Sequence, residues 1–426
     1  MDVTLFAIAF FVMLFLNIPI AMSMCLSSVF YLFITGDIFM ISITAPRFFA
    51  GMNSFTMLAI PLFILSGDLL CSGKASKLLI DMANSMVGHF RGGLSSVTTL
   101  ACMFFGAVSG SGAATASAIG SVVAPESERS GYNKSFIAAI IASAGPLGIL
   151  IPPSIPMVVY GAATDTSIGA LLLSGIGPGI LFGLMIMGYG YWISSKYNYG
   201  GVSSFELKNV FISSRKAFWA LLTPVIIVGG IYSGIFTPTE AAAVAAVYSM
   251  AVGLFIYRTL KFRDLPSIFL KSAVSSASIM FVVGGVVLFG WILVREQIPQ
   301  NLTRMILENV SSPITFLLIA DAVILVAGML MDPSPAIILF APLLLPAAQA
   351  FNIDPVYFGA LMVTNLAIGL VTPPVALTLY VAARICDVSM SRLIKHVLPI
   401  IAMLILGLLI LTFVPQIAMF IPNLLM

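Results

Sequence analysis

The chain has 426 residues, 60% of them hydrophobic and only 8% charged, with a strongly positive mean hydropathy. A soluble domain carries about 25% charged residues, so the composition excludes an ordinary soluble protein and describes an all-α, polytopic membrane protein embedded in a lipid bilayer. The net charge of +3 is too small to argue for a nucleic-acid partner and reflects Lys and Arg in short loops, the usual topology signal.

Apolar segments of roughly 20 residues, the length that spans hydrocarbon as a helix, begin with the run 3–34, which is one long helix or two. It lacks a basic lead-in and is too long for the core of a cleaved signal, so it reads as a retained span. Further segments fall at 54–70, 93–125, 136–162, 169–194, 217–234, 239–257, 274–294, 312–350, 356–382 and 397–414. About ten to twelve spans plus re-entrant pieces are expected from these lengths. The loops 194–217 (Lys196, Lys208, Arg215, Lys216) and 258–271 (Arg258, Lys261, Arg263, Lys271) are the most basic. Two predicted helices separate them, which puts both on one side, and the positive-inside rule makes that side cytoplasmic. Tyr197-Asn-Tyr-Gly-Gly201 reads as a linker between the halves, and Thr237-Pro-Thr-Glu240 has the spacing of a capping box with Pro at the first helical position. Cys25, Cys71, Cys102 and Cys386 stand singly in apolar surroundings and read as small buried hydrophobes. His89 and His396, each near a basic residue at the end of a span, read as interface anchors rather than metal ligands.

Two segments cannot be continuous helices. Ala144-Gly-Pro-Leu-Gly-Ile-Leu-Ile-Pro-Pro-Ser-Ile-Pro156 and Leu366-Ala-Ile-Gly-Leu-Val-Thr-Pro-Pro-Val375 each carry a Gly, three residues, and then Pro-Pro. Proline removes an amide donor, clashes with the preceding turn and pushes the residue before it out of the α region. Broken backbone at membrane depth is tolerated only where it is buried in protein or lines a cavity, and a pair of such breaks points to a transport site. A shift of 221 residues aligns Pro125 with Pro346, Gly148 with Gly369, Pro152 with Pro373, Pro153 with Pro374, and Pro178 with Pro399. Those matches favour an internal duplication, with residues 1–210 as the first repeat and 211–426 as the second. The broken helices are then 136–162 and 356–382. Ahead of each lies a segment whose tip is built to turn: Gly106-Ala-Val-Ser-Gly-Ser-Gly-Ala-Ala-Thr-Ala-Ser117 (106–117) and Gly328-Met-Leu-Met-Asp-Pro-Ser-Pro335 (328–335). Gly, Ser and Pro permit a tight turn and close backbone approach, and the expected elements are helical hairpins that enter the membrane partway.

Enzyme motifs are absent. Gly67-Asp-Leu-Leu-Cys-Ser-Gly73-Lys74 has five residues between its glycines rather than the four of a phosphate loop, and Ala75 stands where Ser or Thr must hold magnesium. Transport would therefore draw on an ion gradient or a partner. Titratable groups for a proton relay are scarce: Asp68, Asp165, Asp321, Asp332 and few others. The breaks offer neutral oxygen instead, from Ser109, Ser111, Thr115, Ser154, Thr364, Asn365, Thr372 and freed carbonyls. Such oxygens suit sodium, while half-helix N-termini suit an anionic solute. Asp332 adds one formal charge at a tip, or caps a helix before Pro333. A channel is the alternative, but channels usually gain selectivity from rings of symmetric subunits, and here the repeat is internal.

At these residues the chain resembles the large membrane subunit of tripartite ATP-independent periplasmic (TRAP) transporters. The resemblance runs end to end, through Leu58-Ala-Ile-Pro-Leu-Phe-Ile-Leu-Ser-Gly67, Val87-Gly-His-Phe-Arg-Gly-Gly93, Ser109-Gly-Ser-Gly-Ala113, Ile151-Pro-Pro-Ser-Ile155, Phe236-Thr-Pro-Thr-Glu-Ala-Ala242 and Gly369-Leu-Val-Thr-Pro-Pro-Val375. It implies two inverted repeats, each with a re-entrant hairpin and a broken helix, in an elevator-type importer of the ion-transporter kind. It implies sodium (Na+) coupling through two or more sites, a separate small four-helix membrane subunit, and a soluble periplasmic substrate-binding protein. The solute implied is a carboxylate such as a sialic acid, a sugar acid or a C4-dicarboxylate, and the location the bacterial inner membrane. By motif, Ser109 and Ser111 with carbonyls near Gly148 form one sodium site, and Asp332 with carbonyls near Gly369 and Thr372 the other. The solute is expected between the tips, near Ser109, Gly110, Pro153, Ser154, Asn365 and Pro373. Two departures stand out: Ala113-Ala-Thr-Ala116 where the resembled family often has an acid, and Ala376 where it often has Gly.

Overall fold

The computed structural model describes residues 2–16, 18–71, 75–200 and 205–425. It begins with α1 (Asp2–Phe15), α2 (Ile20–Ile34), α3 (Ile38–Met52), a 3-10 turn at Thr56–Leu58, α4 (Ala59–Cys71) and α5 (Ala75–Val87). The first hairpin is α6 (Gly93–Ser109) and α7 (Gly112–Arg129), followed by α8 (Lys134–Ala144), a 3-10 stretch (Gly145–Ile149) and α9 (Ile155–Thr164). Next come α10 (Ile168–Ser174), α11 (Ile176–Lys196), α12 (Leu207–Tyr232), α13 (Pro238–Ala251) with a π-helical end (Val252–Ile256), α14 (Leu265–Arg295) and α15 (Ile298–Asn309). The second hairpin is α16 (Pro313–Leu330) and α17 (Pro333–Ala350), followed by α18 (Pro355–Gly369), α19 (Leu377–Cys386), α20 (Met390–Phe413) and α21 (Gln416–Leu425).

The burial pattern says which elements sit at the centre. A helix that is apolar on every side must be surrounded by protein or lipid, and every residue from Ser135 to Ala144 in α8 and from Tyr357 to Gly369 in α18 is buried. Both helices start from an Asx cap. The Asn133 side-chain oxygen accepts from the amides of Ser135 (2.8 Å) and Phe136 (3.2 Å), and Asp354 accepts from Val356 (2.7 Å) and Tyr357 (3.2 Å). These bonds satisfy amides that the first turn leaves orphaned. Tyr160 of α9 donates to the Pro355 carbonyl at 3.0 Å and so ties the two halves together at this centre. Outside, α12 exposes Phe211, Phe218 and Val225, the apolar surface expected of a helix facing lipid. The capping box is present: Thr237 Oγ1 accepts from the Glu240 amide while Glu240 accepts from the Thr237 amide at 2.8 Å.

Several expectations are refined. The opening run is two helices, α1 and α2. Among the described residues seven helices are long and apolar enough to cross a bilayer, or eight if α3 and the Thr56–Cys71 segment, bent by 59°, count as one span. That is fewer than the ten to twelve expected, because both breaks divide an apolar segment into short helices, and α1, α2 and α6 are apolar but also too short to count as spans. The 197–201 linker is docked rather than free over its described part. The Tyr199 carbonyl accepts from the Gly92 amide, its ring stacks on Tyr132 at 4.5 Å, and Gly200 accepts from the Tyr132 hydroxyl; Gly201 lies outside the described residues, as do Gly73 and Lys74. Cys102 and Cys386 are buried, whereas Cys25 and Cys71 are only half-buried.

Candidate functional site

In the first half, α6 and α7 are joined by Gly110 and Ser111 alone. Gly110 occupies the left-handed region (φ +63°), and a Cβ there would lie 2.7 Å from the Pro153 carbonyl, so both conformation and space require glycine. The Ser111 hydroxyl accepts from the Ala114 amide and caps α7. Ser109 Oγ lies 2.9 Å from Thr115 Oγ1, and Thr115 donates to the Ser111 carbonyl at 2.8 Å. Gly148, in the break, packs onto this cluster: a Cβ on it would meet Thr115 Oγ1 at 2.5 Å and the Ser111 carbonyl at 3.0 Å. Folding therefore brings Ser109, Ser111 and Gly148 together, with Thr115 between them. The break itself contains a cis Pro152-Pro153 bond and ends at Ser154, which accepts from the Met157 amide to cap α9 and donates to the Ile149 carbonyl.

In the second half, Met331 and Asp332 join α16 to α17 in extended conformation. Asp332 holds the N-cap position of α17, yet its side chain makes no capping bond. The break has a cis Pro373-Pro374 bond and is pinned to the hairpin by the Val375 amide, which donates to the Met329 carbonyl at 3.2 Å. Gly369 lies against the backbone of Gly328, where a Cβ would come within 2.5 Å. Thr372 donates to the Ile368 carbonyl (2.7 Å) and Thr378 to the Leu370 carbonyl (2.8 Å). Ala376, where the resemblance led one to expect Gly, is left-handed with φ +42°.

Both tips and both breaks open onto one cavity of about 300 Å³. Gly110 to Ala113 line it from the first tip and Asp332 to Pro335 from the second. Ile149, Ile155 and Pro156 come from the first break, Leu370 and Leu377 from the end and the far side of the second. The first residues of four helices, Gly112 of α7, Ile155 of α9, Pro333 of α17 and Leu377 of α19, thus share one space. Each N-terminus carries the equivalent of about half a positive charge. Lys, Arg and His do not occur among the lining residues, and Asp332 is the one acid there.

The cavity holds Gly110, Ser111 and Asp332 of the predicted residues, with Ser109 and Gly148 packed behind the first tip. The others lie outside its lining. Pro153 packs its carbonyl on Gly110, and Ser154 is fully buried in its cap. Asn365 is also fully buried and donates to Asp321. Thr364 donates to Ala360, Thr372 is bonded within its own turn, and Pro373 is half-buried. No hydrogen bond among the described residues joins Asp332 to Gly369 or Thr372. Asp68 is structural, paired with Lys271 at 2.7 Å and accepting from Ser272, and Asp165 ends α9 in a left-handed turn. Sequence reasoning missed the wall that α14 provides through Ser278, Ile279 and Val282. No backbone signal marks them, since they lie mid-helix.

The sequence matches, over residues 7–417, the family described as Tripartite ATP-independent periplasmic transporter, DctM component. It is 45% identical over 379 residues to the C4-dicarboxylate TRAP transporter large permease protein DctM of Pseudomonas aeruginosa, covering 89% of each chain. It is 36% identical over 412 residues to the sialic acid TRAP transporter large permease protein SiaM of Vibrio cholerae, covering 97% of this chain and 96% of that one. Among solved structures, Neisseria gonorrhoeae MtrF, of a class of antimetabolite efflux pumps, superposes with a TM-score of 0.62 at 15% identity, over 89% of this chain and 84% of that one. At such an identity the likeness concerns the fold alone.

Proposed function

This chain belongs to the family of the DctM component of tripartite ATP-independent periplasmic transporters, and from that premise we propose that it is the large permease subunit of an importer for a small organic anion. Relatives are named for C4-dicarboxylates and for sialic acid, both of which bear a carboxylate. In this reading a soluble binding protein delivers the solute, a small four-helix membrane subunit completes the permease, and the assembly lies in the bacterial inner membrane. The chain acts as a carrier and makes or breaks no covalent bond.

The observation that carries the reading is the convergence of the four helix N-termini on one cavity. Their summed dipoles favour an anion without any basic side chain. Asp332 works against an approaching carboxylate, and a co-transported cation offsets it. Sodium is the cation proposed. The Ser109 and Thr115 hydroxyls with the Ser111 carbonyl, beside Gly148, supply neutral oxygen in the first half, and Asp332 supplies charge in the second. Transport then moves the hairpins and broken helices against a frame containing α14, which packs on α2, α3 and α4. The nearly all-small first tip suits such sliding, because it presents no interlocking side chains.

The test is uptake into proteoliposomes containing the chain, its small subunit and a binding protein, with and without an inward sodium gradient. Concentrative uptake that needs both the gradient and the binding protein, and that weakens in Ser109→Ala and Asp332→Ala, is the expected result. Uptake indifferent to sodium refutes the coupling. Downhill flux without the binding protein points to a channel.

A further inference from the structure

We propose that the groove between the start of α12, the end of α13 and α5 is a binding site for an anionic phospholipid. The lipid phosphate meets Arg215 and Lys216, and an acyl chain lies along Trp219 and Ile256. The groove is separate from the cavity between the tips, and the inference stands independently of the transport reading.

The groove encloses about 570 Å³, and its α12 wall consists of Phe211, Ile212, Arg215, Lys216 and Trp219. These residues recur at intervals of four, as 211, 215, 219 and as 212, 216, so they form one stripe along the helix. Helix α12 has 26 residues, about 39 Å of helix against about 30 Å of hydrocarbon. Its charged residues, Lys208, Arg215 and Lys216, all precede Ala217, so the excess length falls at the N-terminal end. Arg215 and Lys216 then stand near the boundary where lipid phosphates lie, and Trp219 sits one turn deeper, in the aromatic belt. The same end carries the basic loops, which places the groove on the cytoplasmic side, where basic pockets between helices hold anionic headgroups.

The walls are held from behind. The Tyr257 hydroxyl donates to the Lys216 carbonyl at 2.8 Å and accepts from the Ala220 amide at 3.1 Å. The Tyr248 hydroxyl donates to the Trp219 carbonyl at 2.9 Å. The cation-bearing turn of α12 is thus fixed to α13 through its backbone, while its side chains stay free. Helix α13 closes in a π-helical turn, with the Tyr257 amide donating to the Val252 carbonyl at 2.8 Å. Such turns are frequent at functional sites, and this one ends where Ile256 and Tyr257 form the facing wall.

Charge and shape name the occupant. Neither Arg215 nor Lys216 forms an ion pair or a side-chain hydrogen bond among the described residues. Asp81 of α5 interacts through space with Lys216 and Lys77, and the three cations outnumber it. A phosphate matches the guanidinium and ammonium, and an acyl chain matches the apolar wall. A soluble anion would leave that wall to water. A zwitterionic lipid brings its own cation, which opposes Arg215 and Lys216.

Trp219 reports on the groove, because in a Trp192→Phe, Trp291→Phe background it is the one tryptophan left. The full chain in phosphatidylcholine vesicles is titrated with brominated phosphatidylglycerol or brominated phosphatidylcholine, whose bromine quenches indole on contact. Half-maximal quenching should come at a mole fraction about tenfold lower for the anionic lipid. Arg215→Gln with Lys216→Gln should remove that preference. Lys261→Gln with Arg263→Gln, which takes the same charge from the same side but outside the groove, should keep it. In detergent, phosphatidylglycerol should raise the unfolding midpoint of the chain with all its tryptophans more than phosphatidylcholine does, and the Arg215 and Lys216 pair of variants should lose the difference. That measurement decides the question if the Phe background fails to fold. Equal quenching by the two lipids, or a preference lost in both double variants, would overturn the site. So would a preference abolished by millimolar inorganic phosphate, which would make the ligand a soluble anion, or by the co-reconstituted small subunit, which would make the groove a subunit interface.

Discussion

The two hairpin-and-break units share a backbone plan and differ in how their ends are satisfied. Each is entered through an Asx cap, Asn133 or Asp354, and each seats a glycine of the break on a glycine of the hairpin: Gly148 on Gly106, Gly369 on Gly328. Each break carries a cis Pro-Pro bond. In the first unit the serines close the structure on itself: Ser111 caps α7, Ser154 caps α9, and Ser109 meets Thr115. In the second, neither Asp332 nor Ala376 caps its helix, and Val375 is 47% exposed. The same geometry thus yields one unit preformed by its own hydrogen bonds and another with unspent charge. The second is the one whose state a ligand can change most, because there is more left for a ligand to satisfy.

The sharpest way to break this comparison is to fill the glycine seats. A Cβ on Gly369 has backbone atoms of Gly328 as its nearest neighbours, at 2.5 to 2.7 Å, whereas on Gly148 it meets the Thr115 hydroxyl at 2.5 Å and a single backbone atom, the Ser111 carbonyl oxygen, at 3.0 Å. Gly369→Ala should cost about 3 kcal/mol and Gly148→Ala about half that, read from thermal unfolding in one detergent; equal losses would remove the asymmetry. Next is charge. Asp332→Asn should raise the sodium concentration for half-maximal uptake about tenfold, while Ser109→Ala should raise it only about threefold, both read from sodium titrations of proteoliposome uptake. Ser154→Ala, which loses a cap that α19 lacks, should lower stability by about 1 kcal/mol and leave the sodium dependence unchanged. The smallest effect is expected at Ala376. Glycine there relieves a left-handed alanine but loosens the unfolded chain, for a net gain of about 0.5 kcal/mol, and a destabilised Ala376→Gly would show that the turn is not strained.

What was legible in the sequence was what single residues impose on their own backbone. Pro152-Pro153 and Pro373-Pro374 forbid helix wherever they are placed, Gly110 permits a left-handed turn, and Thr237 with Glu240 caps a helix within four residues. The breaks, the first tip and the capping box could therefore be read before any packing was known. Asp332 was legible as a position, but whether it would cap α17 or face a cavity depended on what lay across from it. Asn365, expected near the solute, turns instead to Asp321, 44 positions earlier, and Ser278 reaches the cavity only because α14 passes across both tips. Such partners are decided by how apolar helix faces fit together. Those faces are chemically alike along most of this chain, so only the assembled structure selects which of them meet.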